Sequence, residues 1–336
     1  MKTEISVIDL HSDLLSYLSQ ESGRSPKDPI SRCSYPQLHQ GRVKLQTLAI
    51  FTHTGKNSIE NGRKQCEAWI QLTTRYPTLF APLCFPLNMD TQEPLVYLIA
   101  AFENASSFAE ETEPFSQAIQ RLEESIKAIG PIFYISLTWD EENRFGGGNR
   151  TNVGLKEDGK HLIEWMHRKK IALDLSHTSD KLAYDLLDFI DQNGLEIPII
   201  ASHSNFRSIS DYPRNLPDDL AKEIIRRKGL IGLNLFAPFI HQTDPFAIVR
   251  HVEYGLALGA ENALCFGADF FCDSDFLDTL KEKYQRSEAF YSEFSDASAY
   301  PKLLDLFGSK LRLKEQLLHK IAYQNALHFL TQIAPQ

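Results

Sequence analysis

Two apolar runs of this chain end in the same pair of residues. Ile171 to His177 reads IALDLSH and Ile197 to His203 reads IPIIASH, so each run closes on Ser-His, at Ser176-His177 and Ser202-His203. Both runs have the length and apolar content of a buried strand. Side chains alternate along a strand, which puts His177 on the face of Leu175 and Leu173, and His203 on the face of Ala201 and Ile199. A parallel pair of such strands would bring the imidazoles together at the rim of one apolar interior. Two neighbouring neutral imidazoles suit a divalent metal.

Other apolar runs end in ligand-type residues too. Ser6 to Leu10 leads into His11-Ser12-Asp13, where a spacing of two puts His11 and Asp13 on one strand face. Leu95 to Phe102 closes on Glu103, and Asn262 to Ala268 closes on Asp269. Three histidines and three carboxylates exceed the needs of one catalytic zinc, which takes three protein ligands and a water. The set suits two metals, with Glu103 as the carboxylate that offers one oxygen to each. Water held between two metals ionises near neutral pH and attacks an amide carbonyl, so hydrolysis is the implied chemistry. Asp269 then stands where a general acid/base would carry the proton to the leaving nitrogen. Arg214, in the loop beyond the second Ser-His, has the fork of donors that binds a substrate carboxylate.

The elements that must position these residues follow from the pattern. Eight strand candidates lie at 6–10, 45–51, 95–102, 132–137, 171–175, 197–201, 230–235 and 262–268, with helical stretches between most of them. The fold class is α/β, a (β/α)8 TIM-like barrel of the metallo-dependent hydrolase type, in which the carboxyl ends of all strands converge on one face. A less regular segment lies around Leu79 to Leu87. The clearest helix near the end runs from Leu313 to Leu330, as part of a helical extension. Gly146-Gly147-Gly148-Asn149-Arg150 lacks the ending of a phosphate loop and reads as flexible backbone near the mouth. With no linker or repeat in 336 residues, one domain over 1–336 is expected.

Composition narrows the partners. A formal charge of -9 and a pI near 5.7 argue against a nucleic-acid surface. Neither a basic region followed by an apolar stretch at the amino terminus nor a run of membrane-spanning length occurs, so a cytoplasmic protein without membrane attachment is expected. The five cysteines are scattered and never closely paired, which suits a reducing compartment.

The combination of IDLHSD, LTW, LDLSHTSD, ASHSNFRSISDYPRNLPDD and FGADF resembles the membrane dipeptidase (renal dipeptidase) family of zinc peptidases, from His11 to beyond Asp269. The resemblance implies a TIM-like barrel with two zinc ions that hydrolyses dipeptides, L-L and in some members with a D-residue at the carboxyl side, and a homodimer. It implies that His11 and Asp13 bind one zinc, His177 and His203 the other, and that Glu103 bridges them. Asp269 matches the acid/base aspartate and Arg214 the arginine that holds the substrate's carboxylate. The chain also departs from the family: Glu103-Asn104 stands for Glu-Gly, and Asp269-Phe270-Phe271-Cys272 for DFDG. Trp139 stands where the best-known members have a histidine facing the reacting centre, and is expected to wall the substrate pocket.

Two other readings compete. A related amidohydrolase would act on N-acyl amino acids, lactones or cyclic amides, but most such barrels begin with His-x-His and carry a bridging lysine after the fourth strand. This chain has His-x-Asp and Trp139 there. A non-catalytic metal-binding homologue would have no use for Asp269 and Arg214.

Overall fold

The computed structural model describes residues 5–90 and 92–333. The first four residues of the amino-terminal stretch, and the last three of the domain expected over 1–336, lie outside them. Among the described residues nine strands occur: β1 (Val7–Ser12), β2 (Val43–Phe51), β3 (Phe80–Pro82), β4 (Val96–Glu103), β5 (Ile132–Ser136), β6 (Ala172–Asp174), β7 (Ile199–Ala201), β8 (Leu230–Leu233) and β9 (Leu264–Phe266). They hydrogen-bond in the order β2-β1-β9-β8-β7-β6-β5-β4-β3, and β2 also pairs with β4. All pairings are parallel. Eight strands therefore close into a barrel.

The ninth strand is β3. It lies in the segment that reads irregularly in sequence and pairs with the first half of β4, from Phe80 opposite Val96 to Pro82 opposite Leu98. Three residues are too few for periodicity to reveal. The eight expected strands are all present, but β6, β7 and β9 are paired over only three residues each.

Helices follow the strands as a right-handed parallel barrel requires. Ser58–Arg75, Phe115–Ile129, Glu157–Lys169, Asp180–Gln192, Asp218–Arg226 and Ala247–Ala257 match the helical stretches read from spacing. Phe115–Ile129 buries Ala118, Leu122 and Ile129 and leaves its charged face to solvent. Asp180–Gln192 starts where the Ser179 side chain accepts a hydrogen bond from the Leu182 amide.

Residues of one parity along the strands, among them Leu98, Leu173, Ile199 and Ile231, pack with helical residues in the outer layer. Those of the other parity, including Ile8, Leu10, Ala172 and Ile200, form a separate cluster with Ala326, Phe329 and Leu330 from the carboxyl-terminal helix. That helix plugs the base of the barrel. It is continuous from Glu315 to Ile333 through one wider turn at Lys320–Gln324, and Asn325 ties it to the barrel by donating to the carbonyls of Glu261 and Leu264.

Candidate metal centre and active site

The candidate residues meet at the carboxyl ends of the strands, as expected, but simple alternation does not put them there. Leu173, Leu175, Ile199 and Ala201 face the helices, not the interior. His177 and His203 lie past the last paired residues, Asp174 and Ala201, and His177 turns inward with φ 68°. In β1 the register slips by one residue between Asp9 and Ser12. This bulge re-aims His11, and Asp13 lies just beyond the strand, so the shared strand face expected for the two is not what unites them.

Glu103 sits at the centre. Its Oε2 is 3.2 Å from His11 Nε2, while its Oε1 is 2.8 Å from His177 Nε2 and 3.5 Å from His203 Nε2. The rings of His11 and His203 stack with centroids 3.7 Å apart, and the two Nε2 atoms of His177 and His203 are 3.0 Å apart. Asp269 Oδ1 lies 3.6 Å from His11 Nε2. Three overlapping sets each bring ligand atoms within 4.8 Å of one another: His11, Asp13 and Glu103; Glu103, His177 and His203; His11, His203 and Asp269.

The donor set fits divalent metal. His11 Nε2 and Asp13 Oδ1 are buried and make no hydrogen bond of acceptable geometry, a costly arrangement for groups that have no other partner. Burial opposes charge on His11, yet Glu103, Asp13 and Asp269 overcome it and raise that imidazole to about 10. Burial and the neighbouring Glu103 charge push the Asp13 carboxyl well above its ordinary value. Burial alone would also raise Glu103, but His11, with contacts from His177 and His203, holds it well below. Burial drives His203 well below its ordinary value, helped by His11 and Arg214. The carboxylates gather around a place that favours positive charge.

Partners behind the ligand-type residues fix their orientation. The Tyr134 hydroxyl donates to the Leu10 carbonyl and lies 2.7 Å from His11 Nδ1. That hydroxyl oxygen is left to accept from Nδ1–H, which fixes the ring so that Nε2 is the nitrogen turned to Glu103 and available to a metal. Ser202 does the same for His203: its hydroxyl donates to Asp174 and lies 2.6 Å from His203 Nδ1. Asp174 also accepts from the Ser136 hydroxyl and the Ser176 and Ser202 amides. Asp9 plays the equivalent part for β1, accepting from the His11 and Ala268 amides, Gln46 and Tyr300. A charged residue inside an otherwise apolar run was the sequence signal for Asp9 and Asp174. Asn234, just past β8, left no such signal; it donates to Asp269 Oδ2 at 2.9 Å and to the His203 carbonyl.

Asn104, which stands where the resemblance implies glycine, has a positive φ. At φ 74° and ψ 110° it lies outside the left-handed helical region that asparagine tolerates, in a conformation that glycine enters more freely. Its side chain donates to the Thr52 carbonyl and Thr54 hydroxyl and accepts from the Ser106 amide and Asn143. Asn104→Ala keeps the positive φ and loses all four bonds. We expect it to destabilise the fold by about 2–4 kcal/mol, read as a lower urea midpoint; an unchanged midpoint would show that the four bonds contribute nothing.

Trp139 and Arg214 occupy different positions. A cavity of about 90 Å³ lies against Asp13, Glu103, His177 and Asp269, walled by aromatic residues that include Trp139, Phe236 and Phe271. The Trp139 ring is 5.8 Å from that of His177 and packs edge-on against His53 at 4.7 Å. Arg214 is 4 % exposed, donates to the Ser204 hydroxyl and His203 carbonyl, and leaves its buried Nε without a hydrogen bond. It is not itself in the cavity wall, but its guanidinium lies 5.6 Å from the ring of Phe239, which is. A larger cavity, about 770 Å³, opens near the start of β4, β5 and β6, and no candidate site residue reaches it.

The glycine-rich segment is not the flexible loop its composition suggested. Gly146, Gly147 and Gly148 are buried, and a Cβ on Gly148 would sit 1.9 Å from the Trp139 carbonyl oxygen. Glycine is needed there for close backbone approach. The Asn149 amide donates to the His177 carbonyl, so this segment braces the turn that aims His177.

A model of the membrane dipeptidase family, peptidase family M19, matches residues 1–335. The chain belongs to that family. Membership places it among metal-dependent hydrolases. An uncharacterized protein in the PQQ-III 3' region of Acinetobacter calcoaceticus is 31% identical over 147 residues, 39% of this chain and 43% of that protein. The alignment thus spans less than half of that relative. An uncharacterized protein in the pqqA 5' region of Klebsiella pneumoniae is 25% identical over 260 residues, 73% of this chain and 85% of that protein. The crystal structure of a metallopeptidase from Rhodobacter sphaeroides, liganded with a phosphinate mimic of the dipeptide L-Ala-D-Ala, superposes with a TM-score of 0.80 over 98% of this chain and 99% of that one. At 18% identity this likeness is one of fold. Among the described residues no helix is long and apolar enough to cross a membrane.

Proposed function

We propose that this M19 chain is a binuclear zinc dipeptidase that cleaves the single peptide bond of L-L and L-D dipeptides, on one barrel domain. The observation that carries the reading is the division of Glu103, with Oε2 toward His11 and Oε1 toward His177 and His203. His11 and Asp13 would hold one zinc, His177 and His203 the other, with Glu103 shared between them. When bound, two such ions would polarise an amide carbonyl and lower the pKa of a water molecule.

The chain's own groups do the rest. Asp269 is half-buried beside His11 and tethered by Asn234, and its desolvation, with the nearby Glu103 charge, raises its carboxyl above the ordinary value. A carboxyl raised in this way is suited to take a proton and return it to a leaving amine. Arg214 would pair with the substrate's carboxylate. Its guanidinium has no carboxylate partner within ion-pair distance among the described residues, and its Nε is free. Trp139 and the phenylalanines around the cavity exclude water and offer apolar contact to a side chain. The bound mimic of L-Ala-D-Ala in the R. sphaeroides relative supports small dipeptides as the substrate class.

The test is amino-acid release from a panel of L-L and L-D dipeptides by zinc-loaded protein, with a chelator control. Cleavage of dipeptides and not of longer or acylated analogues, lost at least ~10²-fold on chelation, is expected. Release from acylated amino acids alone would replace this reading with the amidohydrolase one, and no release from any of these would favour a non-catalytic homologue.

A further inference from the structure

A dipeptidase must recognise a free ammonium group as well as a carboxylate, because the ammonium separates its substrate from an acylated or longer chain. Four carboxylates line the cavity: Asp13, Glu103, Asp269 and Asp140. The first three have roles in the dipeptidase reading, on which this inference rests. Asp140 has none. It follows β5 directly after Trp139 and is 4 % exposed. Its Oδ1 is 3.4 Å from His177 Nδ1, so it stands at the edge of the metal centre.

An ammonium group already sits on Asp140. Lys283, from the helix Leu277–Tyr284, places its Nζ against Asp140 Oδ2 and lies 5.6 Å from the centroid of the Trp139 ring and 4.9 Å from that of Tyr284. A buried carboxylate with aromatic faces beside it is what a primary ammonium needs, since the carboxylate takes its protons and the rings take its charge. Lys283 itself lines the cavity. Arg150 Nε, 3.2 Å from the same Oδ2, approaches from a side chain that is not part of the cavity wall and can stay in place. The backbone holds the arrangement firmly, because the Arg150 amide donates to the Asp140 carbonyl and a Cβ on Gly148 would lie 2.4 Å from the Asp140 carbonyl carbon.

We propose that Asp140 is the receptor for the substrate's α-ammonium group and that Lys283 occupies this receptor until the substrate's own ammonium displaces it. The centre then has an anion-binding arginine, Arg214, and a cation-binding aspartate, Asp140, and is matched to a zwitterion. Discrimination against N-acylated substrates comes from Asp140.

Steady-state kinetics test this on the zinc-loaded full chain, with one dipeptide and its N-acetyl form as substrates and metal content measured throughout. Asp140→Asn should keep its metal and lower kcat/KM for the free dipeptide on the order of 10²-fold, mostly through KM. The ratio of free to acetylated substrate should collapse with it. Lys283→Met should act in the opposite direction and lower KM for the free dipeptide several-fold. If Asp140→Asn slows both substrates equally or loses metal, Asp140 supports His177 instead and the proposal fails. If Lys283→Met raises KM as Asp140→Asn does, the pair is a structural clasp and the proposal fails. Absence of dipeptide cleavage by the wild type would bring down the dipeptidase reading and this inference together, whereas cleavage unaffected by Asp140→Asn would overturn this inference alone.

Discussion

Asp269→Asn should leave the metal content of the protein at its wild-type value and lower kcat on a dipeptide by ~10³-fold. The substitution is close to isosteric, and the structure gives reasons for it to fold. Asp269 has φ 65°, a conformation asparagine shares, and the Asn234 amide that donates to Oδ2 can still donate to a carbonyl oxygen. What disappears is the ability to take and release a proton. The alternative is a real one, because Asp269 lies within reach of His11 and His203 as a possible third ligand. Metal analysis separates the two roles. Loss of metal together with activity would make Asp269 a ligand, and full activity with full metal would remove it from the mechanism.

The sequence carried the barrel and the centre for one physical reason. In a parallel barrel every strand is buried on both faces and reads as an apolar run, and the chemistry lies where each run stops. His11, Glu103, His177, His203 and Asp269 were all legible because each ends such a run. The structure brings all five together, with Asp13 beside them.

What was not legible depends on tertiary geometry. Alternation put His177 and His203 on faces that turn out to contact the helices, whereas the positive φ of His177 turns that side chain inward, and the bulge in β1 re-aims His11. No periodicity encodes such turns. Asn234, Tyr134 and Ser202 act through hydrogen bonds to residues 28 to 124 positions away or to an immediate neighbour, and each is an ordinary residue type in its local setting. The glycine-rich segment misled in the opposite sense. Composition suggested mobility, whereas Gly148 is there because Trp139 and Asp140 pass too close for a side chain. Lys283 could not be placed from sequence at all, since it reaches Asp140 from 143 residues away.

Glu103→Gln is expected to have the largest effect, since it alters the one residue shared by both sides of the centre. The amide keeps the size of the carboxylate but loses its charge and one acceptor oxygen, so it cannot serve two cations at once. On the binuclear reading proposed above, zinc content should fall from two per chain to one or fewer, and turnover on the order of 10⁴-fold. Stability offers a readout that does not depend on activity. Zinc bound only by the folded wild type adds about 4 kcal/mol at a thousandfold excess over Kd, so its Tm should rise on zinc addition and fall with chelator. The Gln variant should show little of that shift. A Gln variant that binds two zinc ions and shows the full zinc-dependent shift in Tm would mean that Glu103 is not the bridge, and the division of its two oxygens between His11 and the His177/His203 pair would need another explanation.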